Sequence, residues 1–379
     1  MLARIYAHNF RCYENFDFQT GGIPSALLIG KNGSGKSTLR YLLRIFQGIG
    51  RGRNRVGELV SISDFSHGRV TIPMRLEIDV RLNGYLYTYA LAMDLPENFR
   101  ELRVLEEELT LNEKKVFSRK LAQVTIHKGA SSNRGVTFNV DWHLLALPVI
   151  QDPTAVSALS TFRDWLSRIV ILSPIPKLMK GDAGIGTLAV SEDGDNLADW
   201  LSGVFDGYPA AYAIVIDYLK KVMVDVVDFR FEKLGREAKS LWVRFRDTGS
   251  DSQSGQEKLE LLFDVLSDGE KCFFLCAVVL AANQVYGPIF TFWDEPDNHL
   301  SLSEVSQFVA ALRQGFEVGG QILMTSHNSE AIRRFSRDST WVLGRRSHLE
   351  PTVIRQLQEL SEDGQELIAR VIEGDIDPW

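Results

Sequence analysis

The chain has 379 residues, of which 45% are hydrophobic and 24% are charged, and its formal net charge is −7 at pH 7. These values exclude a largely disordered chain and allow one large domain or two ordinary ones. The acidic balance argues against a protein that coats nucleic acid over its whole surface, although a local basic face is compatible with it.

The sequence carries no sign of export or membrane insertion. No apolar segment follows a basic start at the N-terminus, and no uninterrupted apolar stretch reaches the length of a bilayer. The three cysteines, Cys12, Cys272 and Cys276, lack the spacing of a metal site or of a disulfide framework. We therefore expect a cytoplasmic protein with no membrane partner and with reduced thiols in its core.

The first stretch, residues 1–90, has the pattern of an α/β core. The apolar run 26–29 predicts a buried strand, and the spacing of leucines after it predicts a helix over 36–46. Alternation over 70–94 around Asn83-Gly84 predicts a two-residue hairpin.

The middle of the chain, residues 91–257, lacks strong motifs and sustained heptads, and we expect it to form a second α+β lobe inserted into the core. Its apolar patterns predict strands, then helices, then a polar loop: strands at 107–110, 122–126 and 136–140, helices within 156–172 and 196–224, and a loop at 247–256.

The last stretch, residues 258–379, returns to the core pattern. Buried strands at 288–293 and 321–325 alternate with a helix after Gly269 and a helix over 303–316. Alternating strands and helices imply a largely parallel sheet with functional loops at the carboxyl ends of its strands. The predicted fold is thus α/β with a discontinuous core of residues 1–90 and 258–379.

A glycine-rich segment between the first buried strand and the first helix matches the full P-loop pattern. Consecutive N–H groups of such a loop point inward at a phosphate chain, while the lysine reaches the β- and γ-phosphates and the following hydroxyl binds Mg²⁺. A plain turn is the alternative. The expected nucleotide-binding residues are Gly30, Lys31, Asn32, Gly33, Ser34, Gly35, Lys36, Ser37 and Thr38.

Two later strands end in side chains suited to phosphate chemistry. Asp294 and Glu295 follow the strand at 288–293, where Asp294 would hold Mg²⁺ with Ser37 and Glu295 would polarise the attacking water. His327 follows the strand at 321–325 and would donate a hydrogen bond to the γ-phosphate or to that water. An exposed pair of acids and a structural histidine are the alternatives.

The hexamer Leu266–Lys271 contains Ser267, Asp268, Gly269 and Glu270. As a local pattern it predicts a turn and a helix cap. It also resembles the ABC signature motif, which implies that these four residues grip the γ-phosphate bound to a second subunit. ATP and Mg²⁺ are then the expected cofactors, and a homodimer that sandwiches ATP between its heads is the expected assembly.

The sequences of these motifs resemble those of ABC-type ATPases of the RecF, OLD and SMC branch. The segments that carry the resemblance are Ile5–Phe16, Ile29–Leu39 and Asp294–Leu300, with weaker ones at Leu105–Leu109 and Asp193–Ala198. The resemblance implies a P-loop ABC-ATPase head with a mixed sheet. Lys36 and Ser267 are much further apart than in transporter subunits, so a transporter function is disfavoured.

Some positions depart from the family pattern. Ser301 stands where transporters carry the D-loop aspartate, and the segment Ile62–His67 is the best candidate for the missing Q-loop. Only 52 residues follow His327, too few for the Toprim nuclease of OLD proteins. The resemblance is therefore to stand-alone OLD-like ATPases, and nuclease activity would come from a partner.

These observations favour an ATP-hydrolysing enzyme that acts as a dimerising switch on DNA or on a partner effector, in DNA repair or anti-phage defence. A regulatory subunit that holds a toxic effector without binding DNA is the alternative. Arg51, Arg53 and Arg55 are the candidate DNA contacts, and residues 114–134 contain six Lys or Arg and no acid. Such runs are also common on solvated faces.

Overall fold

The computed structural model describes residues 1–127, 135–151, 157–235, 238–246 and 258–360. The chain packs as two compact units, residues 1–169 with 337–379 and residues 170–336. These packing units have other boundaries than the predicted core and inserted lobe, because the strands predicted at 107–140 extend the sheet of the first unit. The boundaries of the ATPase core and its insertion stay a prediction.

Strands and helices alternate only over residues 268–344, whereas residues 74–139 contain strands without an α-helix in the part that the structure describes. The strands are β1 (Leu2–His8), β2 (Phe16–Gln19), β3 (Ser25–Ile29), β4 (Met74–Leu82), β5 (Tyr85–Asp94), β6 (Arg103–Leu111), β7 (Lys114–Lys120), β8 (Gln123–Ile126), β9 (Val136–Asn139), β10 (Val170–Leu172), β11 (Asp182–Ala183), β12 (Val226–Leu234), β13 (Ala238–Arg246), β14 (Lys258–Leu262), β15 (Phe290–Trp293), β16 (Gln321–Thr325), β17 (Thr340–Gly344) and β18 (Val353–Gln356). The α-helices are α1 (Lys36–Gly50), α2 (Val56–Leu59), α3 (Ala158–Ser167), α4 (Leu197–Gly207), α5 (Ala211–Val222), α6 (Asp268–Val285), α7 (Leu302–Glu317) and α8 (Ser329–Arg333).

The first unit contains an antiparallel sheet in the order β2-β1-β4-β5-β6-β7-β8-β9. Its predicted hairpin is confirmed: Asn83 and Gly84 both adopt positive φ, 52° and 82°, between β4 and β5. The predicted strands at 122–126 and 136–140 are confirmed as β8 and β9 within one residue, and the strand predicted at 107–110 is confirmed as part of β6, which begins four residues earlier. In the same unit β17 pairs parallel with β3 and antiparallel with β18.

The second unit contains the parallel strands β10, β15 and β16 in that order, and an antiparallel group in which β13 pairs with β11, β12 and β14. Residues 271–283 of α6 are buried on every side, which the nearly unbroken apolar run of this helix predicts. The α/β class with parallel and antiparallel strands is therefore confirmed.

Two predicted helices differ from the observed elements. Helical periodicity over 156–172 is wrong at its end, because residues 170–172 form β10, whose backbone pairs with β15. The pattern over 196–224 is divided into α4 and α5, since Pro209 between them cannot continue a helix. The loop predicted at 247–256 lies outside the described residues.

Candidate functional site

The glycine-rich loop leaves the end of β3 and enters α1 in the first unit. Gly33 and Gly35 have φ values of 81° and 110°, a region that side chains disfavour. A Cβ atom at Gly30 would collide with the carbonyl oxygen of Leu343. The loop therefore needs glycine at these three positions, as the P-loop prediction requires.

Lys36 is folded back over this loop. Its Nζ donates hydrogen bonds to the carbonyl oxygens of Gly30 at 2.6 Å and Lys31 at 3.4 Å, and the residue is 6% exposed. The first turn of α1 also leaves N–H groups that have no acceptor within the helix. The loop thus combines an ammonium group with the positive end of a helix, which is the chemistry that binds phosphate.

The hydroxyl groups of the loop have different surroundings. The Oγ of Ser34 is buried and has no hydrogen-bond partner among the residues described, so a phosphate oxygen would satisfy it. Ser37 is exposed in the first turn of α1. Thr38 is buried, and its Oγ1 lies 3.2 Å from Sγ of Cys12. These surroundings fit a triphosphate at Ser34 and a metal at Ser37, while the Thr38 hydroxyl contacts the protein interior.

Magnesium would depend on ligand oxygens from the nucleotide and from water. Within the described ranges no group of three or more His, Cys, Asp or Glu residues could hold a metal ion. Mg²⁺ usually keeps several waters and binds through one or two protein groups plus phosphates. The predicted ligands Ser37 and Asp294 carry oxygen atoms of the kind that Mg²⁺ binds in such sites.

The acidic pair follows β15 in the second unit. The N–H of Asp294 donates to the carbonyl oxygen of Leu172 at 2.7 Å, which continues the parallel pairing of β15 with β10. Glu295 has a φ of 48°, a strained value for a non-glycine residue. The strand therefore ends at a sharp turn that separates the directions of the two carboxylates.

Thr325, the last residue of β16, connects both acids. Its Oγ1 donates to Oδ1 of Asp294 at 2.6 Å and accepts a hydrogen bond from the N–H of Glu295 at 2.9 Å. The sequence predicts Thr325 only as the last residue of a buried strand. Because the hydroxyl uses both its donor and an acceptor site, it fixes the orientation of Asp294 relative to Glu295.

The carboxylate of Glu295 contacts two further side chains. Nε2 of His327 lies 3.3 Å from Oε1, and Nδ2 of Asn298 donates to Oε2 at 2.7 Å. Glu295 and His327 are both partly exposed. The structure thus brings the two predicted catalytic residues together, within reach of solvent water, and adds Asn298, which no sequence signal identified.

A buried acid lies beside this group. Asp297 is 4% exposed, and its Oδ2 accepts a hydrogen bond from Oγ of Ser326 at 2.8 Å. Burial raises the pKa of the Asp297 carboxyl. Ser326 Oγ also accepts the N–H of Asn328 at 2.9 Å. Asp297 therefore holds the segment that contains His327.

The signature-like segment forms the start of α6. Ser267 Oγ accepts the N–H of Glu270 at 3.3 Å, and Oε2 of Glu270 accepts the N–H of Ser267 at 2.7 Å, which together make a capping box. The predicted helix cap is confirmed. A Cβ at Gly269 would lie 3.0 Å from the carbonyl oxygen of His299, and Asp268 Oδ2 lies 3.9 Å from Nδ1 of His299. The contact with a second subunit stays a prediction.

The three arginines after α1 are mostly engaged within the first unit. Arg55 donates to Glu101 at 2.7 Å, and Nε of Arg51 donates to the carbonyl oxygen of Ser167 at 3.1 Å. Arg53 is exposed. In the basic run, Arg119 is buried, and residues 128–134 lie outside the described part of the chain. Arg53, Lys114 and Lys120 are among the exposed cations of these two segments, and the DNA contact stays a prediction.

Three other predicted features can be located. Cys12, Cys272 and Cys276 are buried free thiols, as predicted. Ile62–His67 falls in two short 3-10 turns, and Ser301 caps α7 through Glu304. None of the helices in the described ranges is both long and apolar enough to cross a membrane.

Comparison with solved structures shows a similar fold. The chain resembles the crystal structure of an SmcHead bound to the C-winged helix domain of ScpA, with a TM-score of 0.53 and 14% identity over 94% of this chain and 98% of that chain. The SMC head domain from Thermotoga maritima has a TM-score of 0.48 and 13% identity over 94% of this chain and 98% of that chain. No curated protein matches the sequence.

A protein-family model described as "AAA domain, putative AbiEii toxin, Type IV TA system" matches residues 25–166 and 182–333. The matched ranges include the P-loop, the signature-like segment, both acids and His327. Because the match extends over well more than half of the sequence, the chain belongs to this family of AAA-type ATPase domains, with the fold of an SMC head.

Proposed function

We propose that this chain binds Mg-ATP at its P-loop and hydrolyses it to ADP and phosphate. The observation that carries the proposal is the loop itself, where the Lys36 ammonium lies against loop carbonyls and a buried Ser34 hydroxyl has no partner among the described residues. Both groups gain a partner when a phosphate chain enters. Gly30, Gly33 and Gly35 give the backbone the curvature that this requires.

The motifs at the P-loop and at the ends of β15 and β16 suggest a catalytic role for each of their polar residues. Ser37 and Asp294 hold Mg²⁺, Asp294 through water, and Glu295 polarises the attacking water. His327 contacts Glu295 at 3.3 Å, so it can orient the same water or donate to the γ-phosphate. Asn298 and Thr325 support Glu295 and Asp294 by hydrogen bonds.

Hydrolysis would reset a dimeric switch. Two chains would sandwich two ATP molecules head-to-tail, with Ser267 and Gly269 of one chain on the γ-phosphate held by the other. This assembly matches the stand-alone OLD-like branch of ABC-type ATPases. The family description names a toxin of a toxin–antitoxin system, which supports a role in controlling an effector in defence.

Three proteins test this proposal: the wild type, Lys36→Ala and Glu295→Gln, with Lys114→Ala at an exposed strand end as the control. Titration calorimetry with Mg-ATP should show binding by all but Lys36→Ala, and Glu295→Gln should hydrolyse at least 100-fold more slowly. Light scattering should give a doubled mass for Glu295→Gln with ATP. A wild type that binds no Mg-ATP would overturn the proposal, and an unchanged mass at saturating ATP would overturn the dimer.

A regulatory subunit that holds an effector without contacting DNA is the second candidate. It is favoured by the hydrogen bonds of Arg51 to Ser167 and of Arg55 to Glu101, which engage two of the three arginines predicted to contact DNA. Electrostatic DNA binding should weaken steeply between 50 and 200 mM salt. Anisotropy with labelled duplex DNA at both concentrations, beside co-purification with the product of a neighbouring gene, separates this candidate from a DNA-acting switch.

A further inference from the structure

We propose that Thr352 and Tyr13 are positioning residues of the nucleotide site, and that their two hydroxyls hold the outer side of the P-loop so that its amides face the phosphates. The inference rests on the proposed binding of ATP at this loop. Neither residue belongs to the P-loop motif, and Thr352 is 318 positions from the loop residue it contacts.

Thr352 is fixed on both sides. Its Oγ1 donates to the carbonyl oxygen of Ser34 at 2.8 Å, and its N–H donates to the carbonyl oxygen of Cys12 at 2.9 Å. The residue is 3% exposed, and it comes just before β18, which pairs with β17. Its hydroxyl therefore reaches the loop from a well-anchored backbone.

Tyr13 makes the neighbouring contact. Its OH donates to the carbonyl oxygen of Gly35 at 2.8 Å, and its fully buried ring stacks on Phe16 with centroids 3.8 Å apart. The N–H of Tyr13 donates to the carbonyl oxygen of Phe10 at 2.7 Å. A ring held by stacking and by its own backbone leaves the OH little freedom.

Planarity of the peptide bond converts these two contacts into an orientation of the binding groups. In a trans peptide, the C=O of one residue and the N–H of the next point in opposite directions. When Thr352 holds the Ser34 carbonyl outward, the N–H of Gly35 points inward. The Gly35 carbonyl accepts the Tyr13 hydroxyl together with the N–H groups of Thr38 at 2.9 Å and Leu39 at 3.3 Å, so Tyr13 and the first turn of α1 jointly fix the N–H of Lys36. Donors that are oriented in advance bind an anion without a cost of reorganisation.

The packing at Gly35 shows how closely this support lies against the loop. A Cβ atom there would lie 2.8 Å from Oγ1 of Thr352, 3.1 Å from the ring of Tyr13 and 3.2 Å from Sγ of Cys12. The glycine is thus required both by its φ of 110° and by the two positioning residues. A loop displaced from them would lose both hydrogen bonds.

Isosteric variants test the inference. Thr352→Val and Tyr13→Phe remove the hydroxyls and keep the volume, and Thr352→Ser restores one. Thr20→Val is the matched control, because Thr20 is a buried threonine of the same unit whose Oγ1 donates to the carbonyl oxygen of Leu2 at 2.6 Å. For each protein, the Kd for Mg-ATP, the KM and kcat of hydrolysis and the urea unfolding midpoint are measured.

We expect Thr352→Val and Tyr13→Phe to raise Kd and KM about tenfold while kcat stays within about threefold, and Thr352→Ser to recover most of the affinity. Thr20→Val should lower the unfolding midpoint and leave KM unchanged. If the wild type binds Mg-ATP and both hydroxyl-deleted variants bind it equally well, the inference is overturned while the proposed function stands. If Thr352→Val does not fold, Tyr13→Phe decides by the same criterion. A wild type without affinity overturns the proposed function itself.

Discussion

The hydroxyl of Thr325 donates a hydrogen bond to Oδ1 of Asp294 over 2.6 Å. The same oxygen accepts the N–H of Glu295, so one side chain at the end of β16 sets the direction of two consecutive residues at the end of β15. Parallel strands β15 and β16 are neighbours in the sheet, which places their carboxyl ends side by side. The separate roles proposed for Asp294 and Glu295 therefore depend on Thr325.

Replacing Thr325 should impair hydrolysis more than folding. Thr325→Val leaves the N–H of Glu295 without its acceptor and removes the hydrogen bond from the Thr325 hydroxyl to Asp294, so we expect kcat to fall roughly tenfold and the Mg²⁺ requirement to rise. Thr325→Ser should retain most activity. Thr291→Val on β15 is the control, since the Thr291 hydroxyl is buried with no hydrogen-bond partner in the described residues. Steady-state assays of ATP hydrolysis at a series of Mg²⁺ concentrations measure both effects. Equal losses of kcat in Thr325→Val and Thr291→Val would contradict the prediction.

Ser267 allows the helix cap to be separated from the proposed grip on phosphate. Ser267→Ala removes the cap of α6 and should destabilise the protein by about 1 kcal/mol. Ser267→Asn supplies an equally good cap, and its amide can still donate to Glu270 as the Ser267 hydroxyl does at 2.7 Å. The larger side chain fills the place where the γ-phosphate of a second chain is expected, so the variant should keep stability and lose ATP-dependent dimerisation and hydrolysis. Urea unfolding and light scattering report the two effects. A fully active Ser267→Asn protein would leave the cap as the whole role of this residue.

Asp297 should give the stability of the protein a recognisable pH dependence. Burial raises the pKa of its carboxyl in the folded state above that of the unfolded chain. Between these two values the folded protein holds a proton that the unfolded chain has lost, so stability is full below the unfolded pKa, near 4 on average, and falls as the pH rises through the folded pKa.

Asp297→Asn removes the carboxyl and with it the pH-dependent contribution to stability. The difference in stability between wild type and variant at each pH measures that contribution. Urea midpoints measured from pH 4 upwards should fall for the wild type relative to Asp297→Asn as the pH rises. Asp206→Asn, at an exposed position paired with Lys239, serves as the control. A constant difference between wild type and Asp297→Asn at every pH would show that Asp297 does not titrate in this range.

Breaking a buried ion pair in the first unit should lower the free energy of unfolding far more than breaking an exposed ion pair on the same strand. The side chains of Glu107 and Arg119 are fully buried with Oε2 and Nη1 3.6 Å apart, and Glu107 accepts the N–H groups of Ala146 at 2.6 Å and Leu147 at 2.8 Å. Arg119→Met leaves an unpaired buried carboxylate and should cost about 3–5 kcal/mol.

The matched variant is Lys115→Met, whose partner Glu108 lies 2.6 Å away at the surface. It should cost less than about 1 kcal/mol, because solvent screens the pair. Urea unfolding measures both proteins. Similar losses would mean that the cluster around Glu107 does not anchor the segment after β9.

The sequence predicted those features that depend on local pattern. Glycine at 33 and 35 is required by the positive φ of the loop backbone, and the motif is contiguous, so the P-loop could be identified without any partner residue. Gly30 is also required by a distant neighbour, the carbonyl oxygen of Leu343. The hairpin at Asn83-Gly84, the cap at Ser267 and the strand β16 are equally local. The helix predicted to continue through 170–172 failed because a short apolar run is compatible with both a helix and a strand, and pairing with β15 decided for the strand.

What the sequence alone determined is the chemistry of the loop and of the two strand ends, because those motifs are contiguous and their residue types fix their donors and acceptors. Only the tertiary structure decided which distant side chains orient them: Thr325 at Asp294, and Thr352 with Tyr13 at the P-loop. A threonine or tyrosine hydroxyl has no sequence pattern of its own, since its hydrogen bond depends on where the fold places it. The motif residues are therefore recognisable from short stretches of sequence, whereas the residues that position them are up to 318 positions away in the chain.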